Sequence, residues 1–271
     1  MTSPTLGTAL ITGASSGIGA VYADRLAHRG YDLILVARNR ERLDALAQRL
    51  RGETSRQIDV LVADLGAPDD LHRVEATLRE RPIAMLVNNA GVAAVTPLLG
   101  SDVDAMEAMI ELNVTALTRL TYAAVPGFVA RGAGTIVNIA SVVALVPEML
   151  NGVYGASKAY VLAFSRSLHH ELSDRGIRVQ AVLPGGTITE LWDLAGAPVS
   201  AMPAENRARF MTAEDCVDAS LAGLDLGELV TIPPLSDASD WEAFETLREA
   251  LRPQLFAATP APRYRIKAVV G

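Results

Sequence analysis

The chain has 271 residues, 50% of them hydrophobic, and 31 acidic against 24 basic side chains give a net charge of −7. That balance argues against nucleic acid as a partner, and the single cysteine, Cys216, leaves no intramolecular disulfide for a secreted scaffold. No apolar run approaches the ~20 residues of a membrane span, and the first residues lack a basic leader region, so the expectation is a cytoplasmic chain with no membrane partner.

Thr8-Ala-Leu-Ile-Thr12 reads as a short buried strand. Gly13, Gly17 and Gly19 follow it, ahead of the helical pattern Val21, Leu26, Ala27. Glycines between a strand and a helix permit a tight turn and let backbone N–H groups approach a pyrophosphate at the positive end of the helix. The spacing is Gly-x-x-x-Gly-x-Gly rather than the commoner Gly-x-Gly-x-x-Gly, so its weight rests on its place in the first strand–turn–helix unit.

The second strand, 32–37, ends in Ala37-Arg38. A carboxylate at this strand end would hold the ribose hydroxyls of NAD. A guanidinium instead takes a 2′-phosphate in bidentate fashion, worth about 1.5–3 kcal/mol. Arg38 therefore points to NADP(H) rather than NAD(H), while Arg40 and Arg42 read as the solvated face of the next helix.

Further apolar runs near 58–63, 84–88, 134–140, 177–183 and 228–232 alternate with helical patterns near 39–51, 69–80, 102–131, 153–174 and 213–226. The alternation predicts an α/β fold, a doubly wound parallel sheet of about seven strands with helices on both faces. In such a sheet the ligand lies beyond the carboxyl ends of the strands. No linker composition interrupts the chain, so 1–271 reads as one domain with a core over about 5–235 and a tail, 236–271, that carries a helix near 239–251.

Tyr154 and Lys158 stand four residues apart, one above the other on a helical face. Only two of the 24 basic residues are lysines, Lys158 and Lys267, so a compact ammonium at 158 suggests a point charge set beside the phenol. At about 4 Å and an effective dielectric of about 20 such a charge favours the phenolate by about 4 kcal/mol. That would bring a phenol of pKa about 10 toward neutrality, where it can exchange protons.

Taken together, these motifs and four more resemble the short-chain dehydrogenase/reductase family in its compact form. Asn88-Asn89-Ala90-Gly91 follows an apolar run, Asn113 sits in Glu-Leu-Asn-Val, Ser141 follows Ile136-Val-Asn-Ile-Ala, and Pro184-Gly185 follows Val179-Gln-Ala-Val-Leu. The resemblance spans about residues 5–235 and implies a Rossmann fold, an NADP(H)-dependent oxidoreductase and a homodimer or homotetramer. It implies catalytic roles for Asn113, Ser141, Tyr154 and Lys158: proton donor Tyr154, carbonyl hydrogen bond from Ser141, ribose contact from Lys158, and a relay water near Asn113. It also implies cofactor contacts from Gly13, Ser15, Ser16, Gly17, Ile18, Gly19, Arg38, Asp64, Leu65, Asn89, Ala90, Gly91, Pro184, Gly185, Thr187 and Thr189. Asp64 reads either as an adenine contact or as a loop cap. Thr187 departs from the family, which places an apolar β-branched residue there, and its hydroxyl needs a partner.

The expected substrate is a small hydrophobic ketone or aldehyde, lined by Val143, Leu145, Met149, Leu191 and Trp192, with Val146, Leu194, Val199 and Met202 behind them. Glu148 either faces solvent or reads a polar substrate group. An NAD-dependent alcohol dehydrogenase and a 3-oxoacyl carrier reductase are rival activities. A non-catalytic NADP sensor is a rival of another class, which the four intact catalytic positions disfavour. The four histidines, His28, His72, His169 and His170, suggest no metal site.

Overall fold

A computed structural model describes residues 5–264. It divides into two compact units, Met1–Pro233 and Pro234–Gly271.

In the first unit seven strands form one parallel sheet in the order β3-β2-β1-β4-β5-β6-β7. They are β1 (Thr8–Thr12), β2 (Asp32–Ala37), β3 (Ile58–Val62), β4 (Ile83–Asn88), β5 (Gly134–Ile139), β6 (Ile177–Val182) and β7 (Val230–Thr231). The crossover helices are α1 (Gly17–His28), α2 (Arg40–Thr54), α3 (Pro68–Glu80), α4 (Val103–Ile110), α5 (Leu117–Arg131) and α6 (Gly152–Leu172). Two short helices, α7 (Leu191–Leu194) and α8 (Ala204–Arg207), lie in the long β6–β7 connection ahead of α9 (Ala213–Leu226).

Successive strand residues face opposite sides of the sheet, which builds two cores. Ala9, Ile11, Leu33, Leu35, Met85 and Val87 pack with Tyr22, Leu26, Leu43, Leu50, Val217 and Leu221 from α1, α2 and α9. Leu10, Ile34, Val36, Leu86 and Ile136 pack with Leu71, Val74, Leu120, Phe128, Leu168 and Leu172 from α3, α5 and α6. With both faces covered, the strands read as continuous apolar runs. On the second face Glu75 of α3 is buried and holds Arg79 and Arg119 of α5.

The predicted helix over 102–131 is interrupted. Residues Glu111–Ala116 form a π-helical segment between α4 and α5, with Asn113 buried inside it. Such widened turns concentrate at functional sites because they re-aim a few backbone and side-chain groups. The strand order reverses between β1 and β4, so the crevice beyond these two strands is where a ligand belongs.

The second unit holds α10 (Ala238–Leu251), capped by Asp237, which accepts from the backbone N–H of Ser239. Trp241 and Phe244 stack on it with ring centroids 5.3 Å apart.

Candidate active site

The β1 and β4 ends are clamped by Thr12, whose hydroxyl accepts from the backbone N–H groups of Asn89 and Ala90, each at 3.0 Å. The Asn89 amide donates back to the carbonyls of Thr12 and Gly13. Asn89 thus fixes the Gly-rich turn as well as lining the crevice. Gly17 has φ +52, and a Cβ there would meet Thr189 Cγ2 at 3.0 Å. A Cβ on Gly19 would strike the Gly13 carbonyl oxygen and Asn89 Nδ2. Gly19 therefore serves close approach of α1 to the turn, beneath the groove rather than in its wall.

A cavity of about 900 Å³ opens beyond the strand ends. One arm is lined by Gly13, Ser15, Ser16, Gly17 and Ile18, then by Ala37, Arg38, Ala63, Asp64 and Leu65. Asn89, Ala90, Gly91, Pro184, Gly185, Thr187 and Thr189 line its middle. Apart from Ala37 and Ala63, which were not expected, these residues were predicted for the cofactor, and of that prediction Gly19 alone is not in the lining. Arg38 is exposed and has no hydrogen bond or ion pair among the described residues. Asp64 lines the cavity and also accepts from the Gly66 N–H at 3.0 Å, so the two readings of it coexist. Thr187 finds its partner: its hydroxyl donates to the Gly185 carbonyl at 3.2 Å. A glycine turn at a helix N-terminus, an unpaired guanidinium at the β2 end and the lining residues Ala63, Asp64 and Leu65 fit a dinucleotide with a 2′-phosphate.

The catalytic residues lie deeper. Ser141 caps a short turn after β5, while Tyr154 and Lys158 rise from the first turns of α6, and all three are buried. Asn151 caps α6 by accepting from the Val153 and Tyr154 N–H groups, and its amide donates to Thr96 O at 2.6 Å. The Lys158 ammonium donates to the Ile139 carbonyl at 2.9 Å and lies 5.9 Å from the centre of the Tyr154 ring.

This geometry corrects the expected proton balance. Burial pushes the Tyr154 phenol above its ordinary pKa, opposed by a hydrogen bond with Ser141, and burial pushes the Lys158 ammonium down to about 8. Removal from water penalises each charged form, the phenolate of Tyr154 and the ammonium of Lys158. Tyr154 is therefore held as an acid, and Lys158 carries a charge that is readily lost.

Asn113 does not reach the cavity wall. Its amide exchanges hydrogen bonds with both backbone groups of Val92, at 2.9 Å each, and donates to Ser157 Oγ at 3.1 Å. Ser157 in turn donates to the Tyr154 carbonyl at 2.8 Å. The side chain joins the β4 loop to the helix that carries Tyr154 and Lys158.

The outer arm is apolar. Val143, Met149, Leu191 and Trp192 line it as predicted, with Leu194 and Met202. Leu145 and Glu148, predicted to touch substrate, do not line it, nor do Val146 and Val199. Glu148 is exposed in a one-turn helix, Pro147–Met149, whose Met149 is also exposed and does line the cavity. Val92, Val95, Leu112, Leu150, Asn206, Arg209 and Phe210 also line the cavity. Trp192 donates through Nε1 to the Thr187 carbonyl at 2.9 Å and meets Phe210 edge-on at 5.3 Å. Arg42, read from sequence as a solvated helix face, also borders the cavity and pairs with Glu190 at 2.6 Å.

Residues 7–198 match the family model described as short chain dehydrogenase. The chain belongs to the short-chain dehydrogenase family. Among similar solved structures, a short-chain dehydrogenase from Sphingobium yanoikuyae in complex with NADPH is 50% identical with a TM-score of 0.91, the match covering 96% of this chain and 100% of that one. A bulky-bulky ketone specific alcohol dehydrogenase from Comamonas testosteroni is 44% identical with a TM-score of 0.87, over 96% of this chain and 99% of that one. A very-long-chain 3-oxoacyl-CoA reductase of Anas platyrhynchos is 38% identical over 194 residues, 69% of this short-chain dehydrogenase and 62% of the relative's length. The chain thus spans less than two thirds of that relative.

Proposed function

We propose that this chain is an NADP(H)-dependent reductase of ketones that carry apolar groups on both sides of the carbonyl. The observation that carries the reading is the burial of Ser141, Tyr154 and Lys158 together in the wall of one cavity that also holds the glycine turn, Arg38 and the apolar side chains Val143, Leu191 and Trp192. Bound NADPH supplies the hydride. Ser141 donates a hydrogen bond to the carbonyl oxygen and stabilises the charge that develops there. Tyr154, kept protonated by burial, delivers the proton that completes the alcohol. Lys158 holds positive charge beside the ring, and the apolar wall from Val143 to Phe210 excludes water and sets the substrate's width. The likeness to a bulky-bulky ketone specific dehydrogenase supports this substrate class.

A second reading, reduction of a 3-oxoacyl thioester, is favoured by one feature. Arg209 lines the outer arm with no acidic partner among the described residues and could hold an anionic group there. Following NADPH oxidation with diaryl or aryl-alkyl ketones beside a 3-oxoacyl thioester separates the two. Faster turnover of the bulky ketones supports the proposal, and turnover of the thioester alone sinks it.

A further inference from the structure

Glu190 sits where the β6–β7 connection leaves Thr189 and enters α7. Its carboxylate takes the Arg42 guanidinium at 2.6 Å. Ser16 is the N-cap of α1 and its side chain makes no capping bond within its own helix. Arg42 lies in the first turn of α2, four residues beyond Arg38, and is exposed. Ser16, Arg42 and Glu190 all line the cofactor arm of the cavity. A hydroxyl at a helix N-terminus and a guanidinium beside the β2 end are the groups a cofactor phosphate seeks. In this structure a carboxylate of the chain itself is seated on the guanidinium.

We infer that Glu190 is an internal anion which NADP(H) displaces, and that Arg42 then joins Arg38 in reading the 2′-phosphate. The inference goes beyond the proposed reductase activity and rests only on NADP(H) as the cofactor. Two anions cannot share one guanidinium without mutual repulsion, so arrival of the phosphate expels the carboxylate. Glu190 is continuous with Leu191, Trp192 and Leu194 of the substrate wall. The root of that wall packs against the phosphate turn, where Thr189 leaves no room for a Cβ on Gly17. Displacement of Glu190 therefore moves the substrate wall, and the wall reaches its working position only after the cofactor has entered.

Glu190→Gln keeps the shape and removes the charge. The dissociation constant for NADPH should fall about two- to five-fold, the range set by a half-exposed ion pair. In an Arg42→Gln background the same substitution should have no such effect, because the contested cation is gone. Trp192 reports the wall. With Trp241→Phe it is the sole tryptophan, and NADP⁺ should shift its emission. The further change Glu190→Gln should move the emission of the free protein toward the bound value. Weaker or unchanged NADPH binding by Glu190→Gln overturns the inference, as does an equal effect of the substitution with and without Arg42. A parent protein that binds neither NADPH nor NADH overturns the cofactor reading as well.

Discussion

Asn113 and Ser157 are joined by a 3.1 Å hydrogen bond between a π-helical segment and the turn of α6 that links Tyr154 to Lys158. The remaining hydrogen-bonding capacity of the Asn113 amide goes to both backbone groups of Val92. One side chain thus sets the distance between the β4 loop, which lines the cavity, and the helix that carries the proton donor. Ser157→Ala should leave the fold intact and displace that helix turn slightly. We expect kcat to fall about ten- to a hundred-fold with KM for the ketone changed less, measured by steady-state NADPH oxidation.

Arg38 faces the cavity without a partner among the described residues. Arg38→Ala should cost NADPH about 10- to 150-fold in affinity, from a charge-assisted bidentate contact of about 1.5–3 kcal/mol. NADH should bind nearly as before. Titration of both dinucleotides by tryptophan quenching checks this, and equal losses would move the 2′-phosphate elsewhere.

Lys158 makes the fold's stability depend on pH in a definite direction. Its folded value of about 8 lies below the ordinary lysine value of 10.5. Between the two the unfolded chain binds the extra proton, so stability rises with pH across that window. Below about 8 the cost of burying the ammonium is fully present. Lys158→Met removes that cost, so its Tm relative to the parent should be highest near pH 7 and decline as pH climbs from about 8 to 10.5. A constant difference across that range would show that burial does not perturb Lys158.

Glu75 works in the opposite sense. It is buried, yet Arg79 and Arg119 outweigh that burial and hold its carboxyl below the usual range. Its contribution is present above the unfolded carboxyl value and is lost as pH falls through the lower folded one. Glu75→Gln should lower Tm at pH 7, and the deficit should shrink on acidification. Thermal scans at pH 3 to 7 test it.

Much of the fold was legible because fully buried parallel strands are written as continuous apolar runs, such as Leu33–Val36 and Met85–Val87. The catalytic set was legible because Tyr154 and Lys158 share a helix and their spacing is local. The π-helical segment at Glu111–Ala116 was not, since its residues continue the helical pattern on either side and only the seating of Asn113 on Val92 and Ser157 distinguishes it. Arg42 escaped for a different reason. Its place in the cavity depends on Glu190, 148 residues away, which no local periodicity encodes. The failed substrate assignments, Leu145 and Glu148, lie in short turns where neither a period of 2 nor one of 3.6 says which way a side chain points.

Proton donation by Tyr154 in an NADPH-dependent ketone reduction carries the proposed function. The most direct measurement is the single-turnover rate of preformed protein–NADPH complex with a bulky aryl ketone, for the parent and for Tyr154→Phe. The variant should be slower by about 10²–10⁴-fold, the usual contribution of a positioned acid, with NADPH affinity nearly unchanged. A variant that turns over within a few-fold of the parent would contradict it.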